Sequence, residues 1–274
     1  MKERGYTHQV LVRLKQTDHG ILRNGIWAYT NERLCKDDLI TVQIVENECS
    51  DNIAPVNLPL DIAYEDDDII VINKPFDMPA HPSAGNHDNT LANALMYYYG
   101  SQNKPFVYRC INRLDRDTTG LTIVAKHALA GGILGNAVAK RAIHRTYYAV
   151  CSGCTPACMR ISAPIARKDA STIERCVDFK RGENAVTDFI RIKYNPDNNL
   201  SLVKLRLLTG RTHQIRVHMK YIGFPLIGDF LYNPDYTYIS RQALHSGRLV
   251  FTHPVTGQKM NLISDIPSDM KSLF

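Results

Sequence analysis

At 274 residues, with 44% hydrophobic and 22% charged side chains, the chain can bury a sizeable core, as one large domain or one domain plus a small appendage. No run of about 18 apolar residues is present, which argues against a transmembrane helix; Met1-Lys2-Glu3-Arg4-Gly5 leads into no apolar segment of the secretory kind, so a cytoplasmic protein is expected. The net charge of +6 is uneven: residues 1–60 hold 7 Lys/Arg against 8 Asp/Glu, whereas residues 101–220 hold 21 against 8. A basic middle of that kind points to a polyanionic partner, of which nucleic acid is the commonest, with a merely solvated basic face as the alternative.

In chain order, Val10-Leu11-Val12-Arg13-Leu14 alternates like a strand, Asn24-Gly25 marks a turn before Ile26-Trp27-Ala28-Tyr29, and Leu39 to Val45 alternates as a half-buried strand. A stretch with Pro55 and Pro59 and no helical period suggests a soft boundary near residue 55, dividing 1–55 from 56–274. The β-branched run Ile69-Ile70-Val71-Ile72 predicts a central strand, broken by Lys74-Pro75. Thr90 is placed to cap a helix that stops at Gly100. Strands are expected near 121–125, 146–150, 185–194 and 200–208, with a helix over about 128–141. The fold class expected is α+β, a mixed and mostly antiparallel sheet with flanking helices.

Two segments concentrate chemistry. Asn112-Arg113-Leu114-Asp115-Arg116-Asp117-Thr118-Thr119-Gly120 sets Asp115 between two arginines on a loop that feeds the apolar run 121–125. The flanking guanidinium groups would favour its charged form; taken alone, the same residues also suit a structural Asp–Arg loop. In Gly210-Arg211-Thr212-His213-Gln214-Ile215-Arg216, Thr212 is positioned to cap a helix ending near Gly223, with Ile215, Met219 and Ile222 on its core face. Arg216 lies at the border of that face, where a long cation can reach a cleft. Arg211 and the helix start suit a phosphate. Arg145 precedes Tyr147 and Tyr148, which alternation sends to opposite faces, one to the core and one free to stack on a base.

Cys151, Cys154 and Cys158 form a C-x2-C-x3-C cluster with Cys176 beyond it, but no second ligand pair follows. Reduced thiols are expected rather than zinc. No nucleotide-binding or zincin motif is present, so no cofactor or metal is expected and chemistry would run on side chains alone.

Together these segments resemble the RluA-type family of RNA pseudouridine synthases. The motif Asn112 to Gly120 followed by Ala125-Lys126, the strand from Tyr64 to Asn73 with Lys74-Pro75 and His81-Pro82, and Gly210 to His218 all match. So do Pro225-Leu226-Ile227-Gly228-Asp229 with Tyr232, and Leu244-His245, Leu249, Phe251, His253-Pro254 and Thr256-Gly257. The departures are Asn112 for His, Thr119 for Ser, Arg145 for Lys, Asp77 for Gly and Asn233 for Gly. Of these, Asn112 is expected to bear on RNA contacts.

The resemblance implies isomerisation of uridine to pseudouridine in structured RNA, ribosomal or transfer. It maps the essential aspartate to Asp115, the base-stacking tyrosine to Tyr147 and the aspartate-pairing arginine to Arg216. It also implies RNA contacts by Arg113, Arg116, Arg145, Arg211 and His213, and a monomer without membrane partners. Residues 1–55 resemble a partial S4-type RNA-binding module, with a plain extension of the sheet as the alternative. Two other functions stay open: a non-catalytic RNA-binding protein on the same fold, and an N-glycosidic hydrolase, for which Asp117 is the nearby second acid.

Overall fold

The computed structural model describes residues 5–169 and 173–274. Residues 1–4, where the N-terminal reading began, lie outside it.

The N-terminal segment contains α1 (His8–Gln16) and a three-stranded antiparallel sheet of β1 (Ile21–Arg23), β2 (Ile26–Trp27) and β3 (Ile40–Val42). The alternation at Val10–Leu14 therefore reads wrongly as a strand. Thr7 accepts the Val10 N–H as an N-cap, and Val10 and Leu14, four residues apart, form the buried stripe of a helix. The Asn24-Gly25 turn does form, both residues at positive φ (51° and 83°), as a two-residue hairpin of right-handed twist requires. This small cluster packs on α3 (Ala128–Ala139) through Leu129 and Ile133.

The remaining chain builds one ten-stranded sheet. Its strands are β4 (Ile62–Glu65), β5 (Ile69–Lys74), β6 (Arg109–Cys110), β7 (Thr119–Ala125), β8 (His144–Ser152), β9 (Cys158–Ser162), β12 (Val186–Asn195), β13 (Leu200–Leu207), β14 (Leu244–Thr252) and β15 (Lys259–Ile263). A hairpin of β10 (Ile165–Arg167) and β11 (Arg175–Val177) stands apart. The path is β4-β5-β7-β14-β8-β13-β12-β9, with β6 on β7 and β15 on β14. Every pairing in it is antiparallel except β7 with β14. The expected α+β class with a mostly antiparallel sheet is borne out. Ile69 to Ile72 are fully buried, as a strand covered on both faces demands. Among the described residues there are three more helices: α2 (Leu91–Gly100), closed at Thr90 by a capping box with Asn93, α4 (Gln214–Tyr221) and α5 (Ser268–Lys271).

The single parallel step positions the site. His245 and Ser246 of β14 pair with Thr119 and Gly120, directly after the loop that carries Asp115. Gly120 is the second residue of β7 rather than the end of a loop. Its φ is +106°, and a Cβ there would lie 2.3 Å from the Ser246 carbonyl oxygen. Asp77, standing where the family pattern has glycine, also takes a left-handed φ of 53°, a conformation that aspartate tolerates better than most residues.

Candidate active site

The loop between β6 and β7 is anchored from both ends. Asn112, 3% exposed, donates from Nδ2 to the Leu121 carbonyl (3.2 Å) and accepts the Ile123 N–H at Oδ1 (2.8 Å). Its side chain thus mimics a strand neighbour for β7. On the other side, Lys74 is buried to 1% exposure and its ammonium donates to the carbonyls of Pro75, Met78 and Arg116, each at 2.8 Å. Burial pushes its pKa down to about 7, with Asp117 and Asp115 opposing. In sequence Lys74 looks like a strand breaker. Its role as a clamp on the loop after Asp115 depends on a contact 42 residues away.

Asp115 projects from this loop, its side chain 30% exposed. The cation bonded to it comes from α4: Arg216 Nη1 donates to Oδ2 at 2.9 Å. The rest of the Arg216 guanidinium forms a bidentate pair with Asp229, Nε and Nη2 each at 2.7 Å. Asp229 is fully buried and also accepts the N–H groups of Leu231 and Tyr232. Arg216 is itself only 1% exposed, with its charge over the rings of Tyr232 (4.9 Å) and Phe230 (5.3 Å). Burial works against that charge, but the two carboxylates outweigh it and hold the Arg216 pKa above its ordinary value. The sequence reading had Arg216 at the border of a core face. It lies inside, because Asp229 compensates its burial.

Neither arginine beside Asp115 in sequence pairs with it among the described residues. Arg116 forks onto Asp117 (3.1 and 3.0 Å) and lies 3.8 Å from Asp77. Arg113 is exposed at the mouth of the site.

Alternation on β8 separates Tyr147 from Tyr148. Tyr147, 4% exposed, packs with Leu114, Ile215 and Leu244, while Tyr148 packs on the opposite face near Val150 and Ile227. The buried ring of the two is therefore the one beside Asp115. A cavity of about 90 Å³ is lined by Asp115, Tyr147, Arg216, His213, Arg113 and Arg145, among others. It shares Asp115, Arg113, Arg145, Arg211 and His213 with a groove of about 870 Å³ whose walls add Arg116, Arg141 and Arg206. Six arginines of the basic middle of the chain, Arg113, Arg116, Arg141, Arg145, Arg206 and Arg211, thus line one groove that reaches Asp115.

Two expectations about α4 change. His213, not Thr212, is the N-cap residue; it has φ 55° and makes no side-chain cap. Its imidazole instead faces the site, Nε2 3.8 Å from Asp115 Oδ2 and Nδ1 2.9 Å from the Tyr232 hydroxyl. Arg211, expected to be open to a phosphate, is ion-paired with Glu183 and bonded to the Asn184 carbonyl. Of the cysteines, Cys151 is buried in β8, and burial raises its thiol pKa, whereas Cys154 and Cys158 are exposed. Among the described residues, the side chains grouped closely enough to share an ion are Asp66, Asp68 and His253. There, His253 Nε2 already bonds to Asp66 (2.8 Å).

The sequence of residues 68–221 matches the family model described as RNA pseudouridylate synthase. The chain belongs to that family. It is 38% identical over 274 residues to the Bacillus subtilis (strain 168) protein named "Uncharacterized RNA pseudouridine synthase YjbO", covering 99% of this chain and 95% of that one. It is 41% identical over 245 residues to the Haemophilus influenzae "Ribosomal large subunit pseudouridine synthase D", covering 84% and 75%. The solved structure titled "Human RNA Pseudouridylate Synthase Domain Containing 1" superposes with a TM-score of 0.63 at 26% identity, over 76% of this chain and 83% of that one. The family expected from the motifs is borne out, and with it an isomerase rather than a hydrolase or a redox enzyme. Among the described residues no helix is long and apolar enough to cross a membrane.

The functional side chains that sequence reasoning missed are Asp229 and Tyr232. Both stood in the motif Pro225 to Asp229 with Tyr232, and one signal was available: a buried arginine on a core helix requires a second carboxylate.

Proposed function

We propose that this synthase converts specific uridines of structured RNA to pseudouridine, with large-subunit ribosomal RNA the first candidate, since relatives carry that substrate in their names. The observation that carries the reading is Arg216, buried between Asp115 and Asp229 in the small cavity beside a basic groove. Phosphates along the groove would meet Arg113, Arg116 and Arg145. The target uridine leaves its stack to reach Asp115, as chemistry on a base requires.

Asp115 then acts on the ribose, either attacking C1′ or removing the proton at the 2′ carbon. Its Oδ2 is held by Arg216, which leaves Oδ1 to face the substrate. The N-glycosidic bond breaks, the uracil turns against the ring of Tyr147, C5 bonds to C1′, and the C5 proton is lost as N1 gains one. A site that retains the base and excludes water favours recombination over hydrolysis. The hydrolase alternative lacks a usable second acid: Asp117 is tied to Arg116, and Asp229 is buried with its oxygens occupied. We place the protein in the cytoplasm as a monomer, with residues 1–55 as an accessory module to the catalytic domain 56–274.

The test is site-resolved pseudouridine mapping of total RNA from cells with and without the protein, alongside purified Asp115→Asn. Loss of one or a few pseudouridines, no product from the variant and retained RNA binding are expected. Free uracil as product, or undiminished conversion by Asp115→Asn, would overturn the mechanism.

A further inference from the structure

We infer that His213 reads the ribose 2′-hydroxyl of the flipped uridine, donating to it from Nε2 in the space beside Asp115. This rests on the isomerase reading above and adds a substrate contact to it. His213 holds a left-handed φ of 55° at the start of α4 and provides no helix cap. Outside glycine that conformation is uncommon, histidine being among the residues that adopt it more readily, and it is often found at functional sites. What the conformation achieves is the direction of the ring: one nitrogen on Tyr232, the other toward Asp115.

The hydrogen bonds assign the tautomer. The Tyr232 oxygen accepts the backbone N–H of Arg175 at 2.9 Å, and Tyr232 is 5% exposed. Among the described residues the acceptor left for the phenolic proton is His213 Nδ1, at 2.9 Å. If Nδ1 carried its own proton, the phenolic proton would be stranded in a buried site, at a cost of roughly 1–3 kcal/mol. The imidazole proton therefore sits on Nε2. Burial lowers the His213 pKa, against the opposing pull of Asp115, so the neutral ring is the form present near pH 7.

Among the described residues that Nε2–H has no hydrogen-bond partner. Asp115 Oδ2, at 3.8 Å, is beyond hydrogen-bond range and already accepts from Arg216. A ribose with either C1′ or C2′ against Asp115 carries its 2′-oxygen into this gap, so the contact follows from both routes for the ribose step. The 2′-hydroxyl is the group by which a protein distinguishes RNA from DNA, and a site built around a substrate hydroxyl discriminates strongly against the analogue lacking it. Tyr232 is in turn held by β11, so the hairpin β10–β11 contributes to the tautomer through one backbone N–H.

The test uses a synthetic RNA hairpin spanning a uridine that the wild-type protein converts, and the same hairpin with 2′-deoxyuridine at that position as competitor. Single-turnover conversion and the competitor's inhibition constant are measured for wild type, His213→Phe and His213→Gln. Expected are a conversion rate about 10- to 100-fold lower for His213→Phe, with the deoxy competitor's inhibition constant within about twofold of wild type, and substantial recovery of rate in His213→Gln, which keeps an N–H donor. Equal weakening of rate and deoxy binding would assign His213 a packing role and overturn the inference, as would an unchanged rate in His213→Phe. If wild type converts no uridine in any RNA, the isomerase reading itself fails, which is a different result.

Discussion

Asp115 and Asp229 share one arginine, but the structure assigns them opposite consequences. In Asp229→Asn the Arg216 guanidinium stays buried at 1% exposure and loses the charge of a fully buried bidentate partner. Removing one member of such a pair typically costs 3–5 kcal/mol, because the remaining charge is left in a low-dielectric site. The asparagine oxygen still accepts one hydrogen bond, which places this variant near the lower end, about 3 kcal/mol. Asp115 is 30% exposed and bonded through one oxygen, so Asp115→Asn should cost no more than about 1 kcal/mol of stability. Urea unfolding resolves the two. With an m-value of roughly 3 kcal/mol/M for a chain of this size, Asp229→Asn should lower the midpoint by about 1 M, while Asp115→Asn stays near wild type yet forms no product. An unshifted midpoint in Asp229→Asn, or equal shifts in both variants, would show that the buried carboxylate does not hold Arg216 in place.

Gly120→Ala should fail to fold or lose most of its stability, read as soluble yield and melting temperature, because its Cβ would meet the backbone of Ser246 at 2.3 Å; near-normal stability would contradict the close approach of β7 and β14. Acid should weaken the fold through His245, whose pKa burial lowers to about 4. Between about pH 6.5 and 4 the unfolded chain binds the proton that the folded ring refuses, so stability rises with pH across that window and about 2 kcal/mol is lost on going from pH 7.5 to 5. His245→Gln should flatten this part of the urea-midpoint profile; an unchanged slope would refute the assignment. Arg116→Ala should leave stability within about 0.5 kcal/mol and reduce the salt dependence of RNA binding by about one counterion, measured by titration at several salt concentrations.

Much of this protein was legible in the sequence because local chemistry decided it. The β-branched run at 69–72, the Thr90 cap and the Asn24-Gly25 turn each follow from short-range sterics and hydrogen bonding, and each formed. The motifs around Asp115 and Arg216 carried the family. Where two local patterns competed, sequence reasoning failed. Val10 to Leu14 alternates like a strand, yet the Thr7 cap and the four-residue spacing of Val10 and Leu14 against α3 make it helical.

The partners of the site were decided only by tertiary structure. Sequence proximity set Arg113 and Arg116 beside Asp115, but Arg116 turns to Asp117, and the bonded cation arrives from 101 residues away. That contact exists because α4 carries Arg216 into the core, where Asp229 compensates its charge and Lys74 and Asn112 clamp the loop that presents Asp115. A sequence determines which residues carry charge and which segments fold locally. Which charges can be buried together depends on how distant segments pack, since the desolvation that makes each pair matter is imposed by the assembled core.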